Sequence, residues 1–294
     1  MIERPTISLV ITDLDNTIYD WLSAFVPAFY AMVKEAAPLL GVSEDELLDD
    51  LKAVHQRHGD SEHPFALLET RSVEIKFGNV PKLEAAKLLD PAFHAFNSVR
   101  KHNLKLYDGV YETLEQISSR AVPIVAYTDA RVINCLFRLE RLHVKSFFSR
   151  LYAPAHVSKG INTEILDRDF VRLLAVDDRK PNPRTLIDIC SQYSVDPARA
   201  VYVGDSLVRD VYMAQRAGVH SAWAKFGTLY DKRLWPQLVR VTHWTEADVE
   251  RENNLREQAR GTEPECVLNR FYELLDNYAF EPPIRDRFFA ATPR

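Results

Sequence analysis

The chain of 294 residues is poor in cysteine and has no clustered excess of positive charge. Its three cysteines, Cys135, Cys190 and Cys266, are isolated and odd in number, so they match neither a disulfide framework nor a zinc-binding spacing. The formal net charge is -5 and the Lys and Arg residues are scattered, which argues against a nucleic acid polymer as a partner. These features favour structural thiols in a reducing compartment.

Long hydrophobic runs are also lacking. No run approaches the roughly 20 apolar residues of a membrane span, and the first residues, MIERPTISLV, lack the apolar stretch of a secretory signal. We therefore expect a cytoplasmic protein with no membrane partner, and we keep a homodimer open as its assembly state. Hydrophobic residues make up 46% of the chain, enough for one large domain or two smaller ones.

Four apolar runs of strand length are present, and helical patterns separate them. They are TISLVIT (6–12), AVPIVAY (121–127), RAVYVG (199–204) and VHSAWA (219–224). Continuous apolar strands that alternate with helices predict an α/β fold, a Rossmann-like parallel sheet with helices on both faces. Ligands bind at the carboxyl ends of such strands, so the polar residues that follow these runs should converge.

A long helical segment follows the first predicted strand. Residues 21–102 show helical periodicity, and Ser43 with Glu46 three residues later forms the pattern of a capping box. We predict an α/β core (1–17 and 105–244), an inserted helical cap (18–104) and a charged C-terminal extension (245–294) with one helix over CVLNRFYELLDNY (266–278).

Two aspartates, Asp13 and Asp15, follow the first apolar run, and Thr17 lies two residues further on. They could cap a helix, or begin a calcium loop, or share a divalent cation at the end of a buried strand. The calcium loop fails because Ile18 and Ala24 stand where that loop needs Gly and Glu. The shared cation predicts further functional residues at the ends of other strands.

Four short motifs in this order resemble those of the haloacid dehalogenase superfamily. They are DLDNT with Asp13 and Asp15, VAYTD with Thr128, RKPNP with Lys180, and VYVGDSLVRD with Asp205 and Asp210. The resemblance covers residues 5–17 and 105–228 and implies Mg2+-dependent phosphoryl chemistry on the predicted sheet. It identifies neither the helical insert nor the C-terminal segment.

The resemblance also implies a role for each acidic residue. Asp13 would be the nucleophile that forms an aspartyl-phosphate, and its carboxylate would bind the metal. Asp15 would act as general acid and base and offer its main-chain carbonyl to the metal. Asp205 would be the third metal ligand, whereas Asp210 would orient Lys180 or a metal-bound water. A plain surface position for Asp210 is the alternative.

Lys180 would act in catalysis and bind phosphate together with Thr128 and Asp129. Thr128 could instead cap the following helix, and Arg179 or Lys159 could replace Lys180. Asp129 departs from the second motif of the family, because its negative charge would lie near the phosphate unless its side chain points away or pairs with Arg131. Thr17 would stabilise the turn.

The nature of the substrate follows from two features of the resemblance. Displacement of halide needs no proton donor, so Asp15 favours phosphoryl transfer over dehalogenation. A helical insert between the first two motifs is similar to C1-type caps, as in pyrimidine-nucleotidase-like or phosphoglycolate-phosphatase-like members. We therefore expect a phosphatase for a small phosphate ester, a nucleoside monophosphate or a sugar phosphate. A phosphotransferase or phosphomutase, or a catalytically weak regulatory or scaffold protein, is the alternative.

Two further segments stand apart from the motifs. HQRHGDSEH contains His55, His58 and His63, and we interpret it as a solvated polar loop in preference to a metal site. Residues 153–177 lengthen the interval between Thr128 and Lys180, and we interpret them as an insertion or an extended flap.

Overall fold

The computed structural model describes residues 4–63, 65–154, 166–175 and 178–283. These residues divide into two compact units. The first unit contains the described residues of 4–20, 106–229 and 259–283, and the second contains those of 21–105 and 230–258. The α-helices are α1 (Trp21–Leu40), α2 (Glu44–His58), α3 (Arg71–Phe77), α4 (Lys82–Leu88), α5 (Asp90–Asn103), α6 (Val110–Ser119), α7 (Val132–Arg141), α8 (Pro183–Gln192), α9 (Tyr212–Arg216), α10 (Leu234–Val241), α11 (Glu246–Gln258) and α12 (Leu274–Asn277).

The first unit is built on a parallel sheet of seven strands. Its strands are β2 (Leu9–Thr12), β3 (Ile124–Tyr127), β4 (Arg150–Pro154), β5 (Val171–Leu174), β6 (Ala200–Gly204), β7 (His220–Ala224) and β8 (Cys266–Leu268). Their order in the sheet is β5-β4-β3-β2-β6-β7-β8, and every pair is parallel. A separate parallel pair joins β1 (Thr6–Ile7) to β9 (Ala279–Phe280). The predicted α/β fold with a Rossmann-like parallel sheet is confirmed.

Strand register places the predicted functional residues at one edge of this sheet. Thr12, the last residue of β2, lies opposite Ala126 of β3 and Val203 of β6. All residues of β2, β3 and β6 are buried, which explains their uninterrupted apolar runs. The segments that begin at Asp13 and Asp205 therefore leave the sheet at its carboxyl edge.

The second unit is helical and includes part of the chain that we expected elsewhere. Residues 230–244 were expected in the α/β core and residues 245–258 in the C-terminal extension, but both group with the helical unit. The reason is packing: α10 contacts α1 and α2, and its Val241 is buried in their apolar core. The Val241 carbonyl also accepts a 2.7 Å hydrogen bond from Nδ1 of the buried His55.

The predicted helix over 266–278 is wrong in its first part. Residues Cys266–Leu268 form β8, which pairs with β7 at the edge of the sheet. Phe271–Glu273 then forms a 3-10 turn that continues into a helix of a single turn, Leu274–Asn277. Burial along β8 alternates with a period of two, which is the pattern of a strand, and pairing with a sheet edge overrides the helical periodicity of the sequence.

The interval of residues 153–177 contains an element that we did not predict. Val171–Leu174 forms the edge strand β5, which pairs with β4, so this part of the expected insertion belongs to the sheet. Residues 155–165 and 176–177 of the expected flap lie outside the described residues.

Within the described ranges, no single helix is long and apolar enough to cross a membrane, although the bent pair α1 and α2 has the length and composition when taken together. The cytoplasmic location stays a prediction.

The alternating burial of β8 makes a matched pair of substitutions informative. Leu268 is fully buried, whereas Val267 is 42% exposed. We expect Leu268→Ala to lower the free energy of unfolding by about 2 to 5 kcal/mol through the lost contacts and the cavity. Val267→Thr, which keeps a β-branched side chain at an exposed position, should change it by less than about 0.5 kcal/mol. Urea denaturation of the two variants measures the difference, and equal losses would contradict the strand.

Candidate active site

The carboxyl edge of the sheet brings together four of the predicted residues. Asp13 directly follows β2 and Asp205 directly follows β6. Asp210 lies in a π-helical turn, Leu207–Val211, that leads into α9. Lys180 lies in the loop before α8, and all four belong to the first unit.

The ammonium group of Lys180 lies between two carboxylates. Its Nζ is 2.8 Å from Oδ1 of Asp13 and 3.0 Å from Oδ1 of Asp210. The rings of Tyr127 and Tyr202 lie near the same nitrogen, with centroids 5.5 and 5.4 Å away. Because Lys180 is buried and directly paired with Asp13, it is not a solvated loop lysine.

Asp210 is fixed by a set of hydrogen bonds and by close packing. Besides Lys180, its Oδ1 accepts from the Tyr202 hydroxyl at 3.2 Å and its Oδ2 accepts from the Ser206 main-chain N–H at 3.0 Å. Gly204 allows this position, because a Cβ there would collide with the Asp210 carboxylate. Asp210 is only 1% exposed, so it is not the surface acid of the alternative interpretation.

Burial and the surrounding charges shift the pKa values of the acids at this site. Burial raises the pKa of Asp13 to about 7, although the Lys180 ammonium opposes the rise. Desolvation also raises the pKa of Asp205 well above its usual range, and the negative charges of Asp210 and Asp13 add to it. Burial lowers the pKa of Lys180, but Asp13 and Asp210 raise it by more, so the amine stays protonated. Among the residues that the structure describes, the carboxylates of Asp13, Asp205 and Asp210 thus surround the ammonium group of Lys180.

The acidic residues fit a divalent cation. Carboxylate oxygens of Asp13, Asp205 and Asp210 all lie within 4.8 Å of one another. Oxygen ligands of this kind suit Mg2+. A cation would also stabilise the ionised carboxylates of Asp13 and Asp205, whose pKa values are raised mainly by burial. The main-chain carbonyl of Asp15 as a further ligand stays a prediction.

Thr128 and Asp129 occupy the turn after β3. The Thr128 hydroxyl accepts from the Ala130 N–H at 3.2 Å, so its own proton is not used in that bond. Since α7 begins only at Val132, Thr128 does not cap that helix. Asp129 accepts from the main-chain N–H of Lys180 at 3.2 Å, so its carboxylate holds the lysine loop. Phosphate binding by Thr128 and Asp129 stays a prediction.

The sequence alone did not predict the partner of Asp15. Arg138 of α7, a buried arginine, places its Nη1 3.0 Å from Oδ1 of Asp15. Its guanidinium also lies over the ring of Tyr19, 5.7 Å from the centroid. One signal could have revealed it: Arg138 shares the buried face of α7 with Val132 and Cys135, where an apolar residue is normal.

Thr17 is fully buried in the turn after Asp15. Its main-chain N–H donates to the Leu14 carbonyl at 3.2 Å, whereas its hydroxyl has no hydrogen-bond partner among the described residues. The contact that stabilises the turn is therefore made by the backbone of Thr17.

Comparison with known proteins identifies the family of the chain. The family model of haloacid dehalogenase-like hydrolases matches residues 7–218. Glyceraldehyde 3-phosphate phosphatase of Methanopyrus kandleri is 31% identical over 231 residues, 76% of this chain and 87% of the relative. Phosphoglycolate phosphatase of Agrobacterium fabrum is 24% identical over 231 residues, 77% of this chain and 84% of the relative.

A solved structure shows the same fold. The 2-haloacid dehalogenase from Pseudomonas syringae superposes with a TM-score of 0.55 at 21% identity, covering 92% of this chain and 97% of that chain. The protein belongs to the haloacid dehalogenase-like hydrolase family and is an enzyme of the class that includes the two phosphatases. The family and the enzyme class predicted from the four motifs are confirmed.

The raised pKa of Asp13 predicts how pH changes the stability of the metal-free protein. Its folded pKa, about 7, lies above the value of about 3.9 for an unfolded aspartate, so protonation favours the folded state. This contribution is complete below about pH 4 and is lost as the pH rises through 7. With EDTA present, denaturation should show lower stability at pH 8 than at pH 5.5, and Asp13→Asn should reduce that difference. An identical difference in both proteins would contradict the shift.

Proposed function

We propose that the protein is a Mg2+-dependent phosphomonoesterase that acts on a small phosphorylated metabolite through an aspartyl-phosphate on Asp13. The position of Lys180 carries this proposal, because its ammonium group contacts Asp13 and is held in place by Asp210. A protonated amine beside a buried carboxylate keeps that carboxylate oriented and offers positive charge to a phosphoryl group.

The first half of the reaction transfers phosphorus to the protein. A carboxylate oxygen of Asp13 attacks phosphorus in line, and the bond from phosphorus to the ester oxygen breaks. Asp15 donates a proton to the departing oxygen, and the Thr128 hydroxyl donates a hydrogen bond to the phosphoryl group. Bound Mg2+ supplies positive charge that lowers the repulsion between the substrate dianion and the carboxylates.

The second half of the reaction hydrolyses the aspartyl-phosphate and restores the free carboxylate of Asp13. Asp15, now ionised, removes a proton from a water molecule, and that water attacks phosphorus and releases Asp13 with inorganic phosphate. The double role requires the Asp15 carboxyl group to be held in one orientation. The 3.0 Å contact with buried Arg138 supports a positioning role for this arginine.

The relatives support a small substrate. The names of the similar proteins give glyceraldehyde 3-phosphate, phosphoglycolate and N-acetylmuramic acid 6-phosphate as their substrates. Of the two expected classes, these names favour a sugar phosphate or a similar small phosphate over a nucleoside monophosphate. A panel of phosphorylated metabolites, with phosphate release as the readout, separates the two classes.

Transfer to another acceptor is the second candidate function. The same aspartyl-phosphate could pass its phosphoryl group to a hydroxyl, as a phosphotransferase or phosphomutase does. Product analysis with competing alcohols distinguishes this transfer from hydrolysis. A catalytically weak scaffold is less well supported, because no motif residue has been lost.

Substitution of the nucleophile tests the proposal directly. With Mg2+, the unaltered protein should release p-nitrophenol from p-nitrophenyl phosphate, and Asp13→Asn should abolish turnover because an amide is a poor nucleophile. Asp108→Asn, a matched change at an exposed aspartate of the same unit, should leave the rate unchanged. Absence of metal-dependent turnover across the whole metabolite panel in the unaltered protein would overturn the phosphatase assignment.

The acid role of Asp15 and the role of Arg138 predict a dependence on the leaving group. Asp15→Asn should lower kcat/KM for an alkyl phosphate by about 10^2 to 10^4, the usual worth of general acid catalysis. For p-nitrophenyl phosphate the loss should be smaller, because that leaving group needs little protonation. Arg138→Lys should lower kcat/KM by smaller factors, again more for the alkyl phosphate than for p-nitrophenyl phosphate. Arg141→Lys, on the exposed face of α7, should leave kcat/KM unchanged for both substrates. Equal losses for both substrates would contradict the acid role.

A further inference from the structure

A second cluster of metal-binding side chains lies in the helical unit, in a part of the chain that the motifs do not include. It consists of His58, the last residue of α2, His63 in the following loop, and Glu69, which ends a 3-10 turn, Ala66–Glu69. Nε2 of His58 lies 2.7 Å from Oε2 of Glu69, and Nε2 of His63 lies 3.1 Å from Oε1. Both imidazoles therefore direct the same ring nitrogen to one carboxylate.

The spacing of these atoms suits a tetrahedral metal ion. The three ligand atoms lie within 4.8 Å of one another. Zinc bonds of about 2.0 to 2.2 Å to nitrogen and oxygen place tetrahedral ligand atoms about 3.3 Å apart. The two imidazole rings stack in parallel, with centroids 3.5 Å apart and planes 6° apart, so one ring has to turn about its Cβ–Cγ bond before both Nε2 lone pairs can point to the same ion. With that rotation, three metal bonds would replace the two hydrogen bonds to Glu69.

The surrounding backbone fixes the ligands. Gly59 ends α2 in the left-handed conformation (φ 61°), which turns the chain directly after His58. Arg57 donates from Nη2 to the Glu69 carbonyl at 3.0 Å, so the helix end and the 3-10 turn are already joined. Thr70 caps α3 by accepting from the Val73 N–H, which fixes the chain on the other side of Glu69.

The ligand types and the exposure indicate which ion would bind. Imidazole nitrogen with one carboxylate suits zinc and its neighbours in the first transition row, whereas Mg2+ prefers oxygen alone. The His63 side chain is 8% exposed, but those of His58 and Glu69 are 34% and 32% exposed, so a fourth position is open to water.

We propose that His58, His63 and Glu69 form a binding site for Zn2+ or a similar divalent transition metal, which clips the end of α2 to the turn before α3. His55 is not part of it, because its Nδ1 is bonded to the Val241 carbonyl inside the helical unit. The site is independent of the proposed phosphatase chemistry.

Zinc binding by the full chain tests the proposal. The protein used carries Asp13→Asn, which weakens metal binding at the aspartate site. Zinc bound at that site then does not obscure the number of zinc ions bound per chain. After equilibrium dialysis this protein should retain one Zn2+ per chain. X-ray absorption at the zinc edge should show imidazole nitrogen and no sulfur, which excludes the cysteines as ligands.

Matched variants in the same background locate the ion. His58→Ala and Glu69→Gln should each weaken zinc binding at least about tenfold. Loss of a residue that only orients a ligand already costs about this much, so loss of a ligand should cost no less. His94→Ala, a change at an exposed histidine of α5 in the same unit, should leave the affinity unchanged. Zinc should raise the unfolding temperature of the parent and of His94→Ala but not of His58→Ala.

Two results would overturn the proposal. The first is an Asp13→Asn protein that retains no zinc. The second is unchanged zinc affinity in both His58→Ala and Glu69→Gln. Because both ligands are partly exposed, circular dichroism of these variants should match that of the parent.

Discussion

The ammonium group of Lys180 and the carboxylates around it form the interaction on which the candidate active site depends. Asp13 and Asp210 both contact this group, and Asp205 lies within 4.8 Å of them. Burial raises the pKa values of Asp13 and Asp205, and the neighbouring carboxylates add to the rise. Under the proposed function, a bound cation and a phosphoryl group would use this concentration of acids.

The parallel sheet provides the geometry for this concentration of charge. Because β2 pairs with both β3 and β6, the segments that follow these three strands leave the sheet side by side. Gly204 lets the Asp210 carboxylate pack against the end of β6, and Tyr202 donates a hydrogen bond to it from within that strand. The ends of the strands thus bring the candidate site residues together, and Tyr202 within β6 helps to orient Asp210.

The predicted and the observed elements, compared along the chain, show which signals in the sequence were reliable. The buried central strands have apolar sequences, and the candidate site residues follow directly after them, so both positions could be predicted. The start of the segment 266–278 was misassigned because an amphipathic pattern in a short segment fits a helix and an edge strand alike. Arg138 was not predicted as a site residue because it reaches the site through a contact with Asp15, which lies 123 positions away in the sequence.

By itself, the sequence determined the α/β class, the family and the order of the candidate site residues, because these depend on local periodicity and short motifs. Only the tertiary structure decided that Lys180 lies between Asp13 and Asp210. The same holds for α10, which joins the helical unit, and for Glu69, which meets His58 and His63. Such contacts depend on strand order, helix packing and loop paths, which the local pattern of residues does not encode.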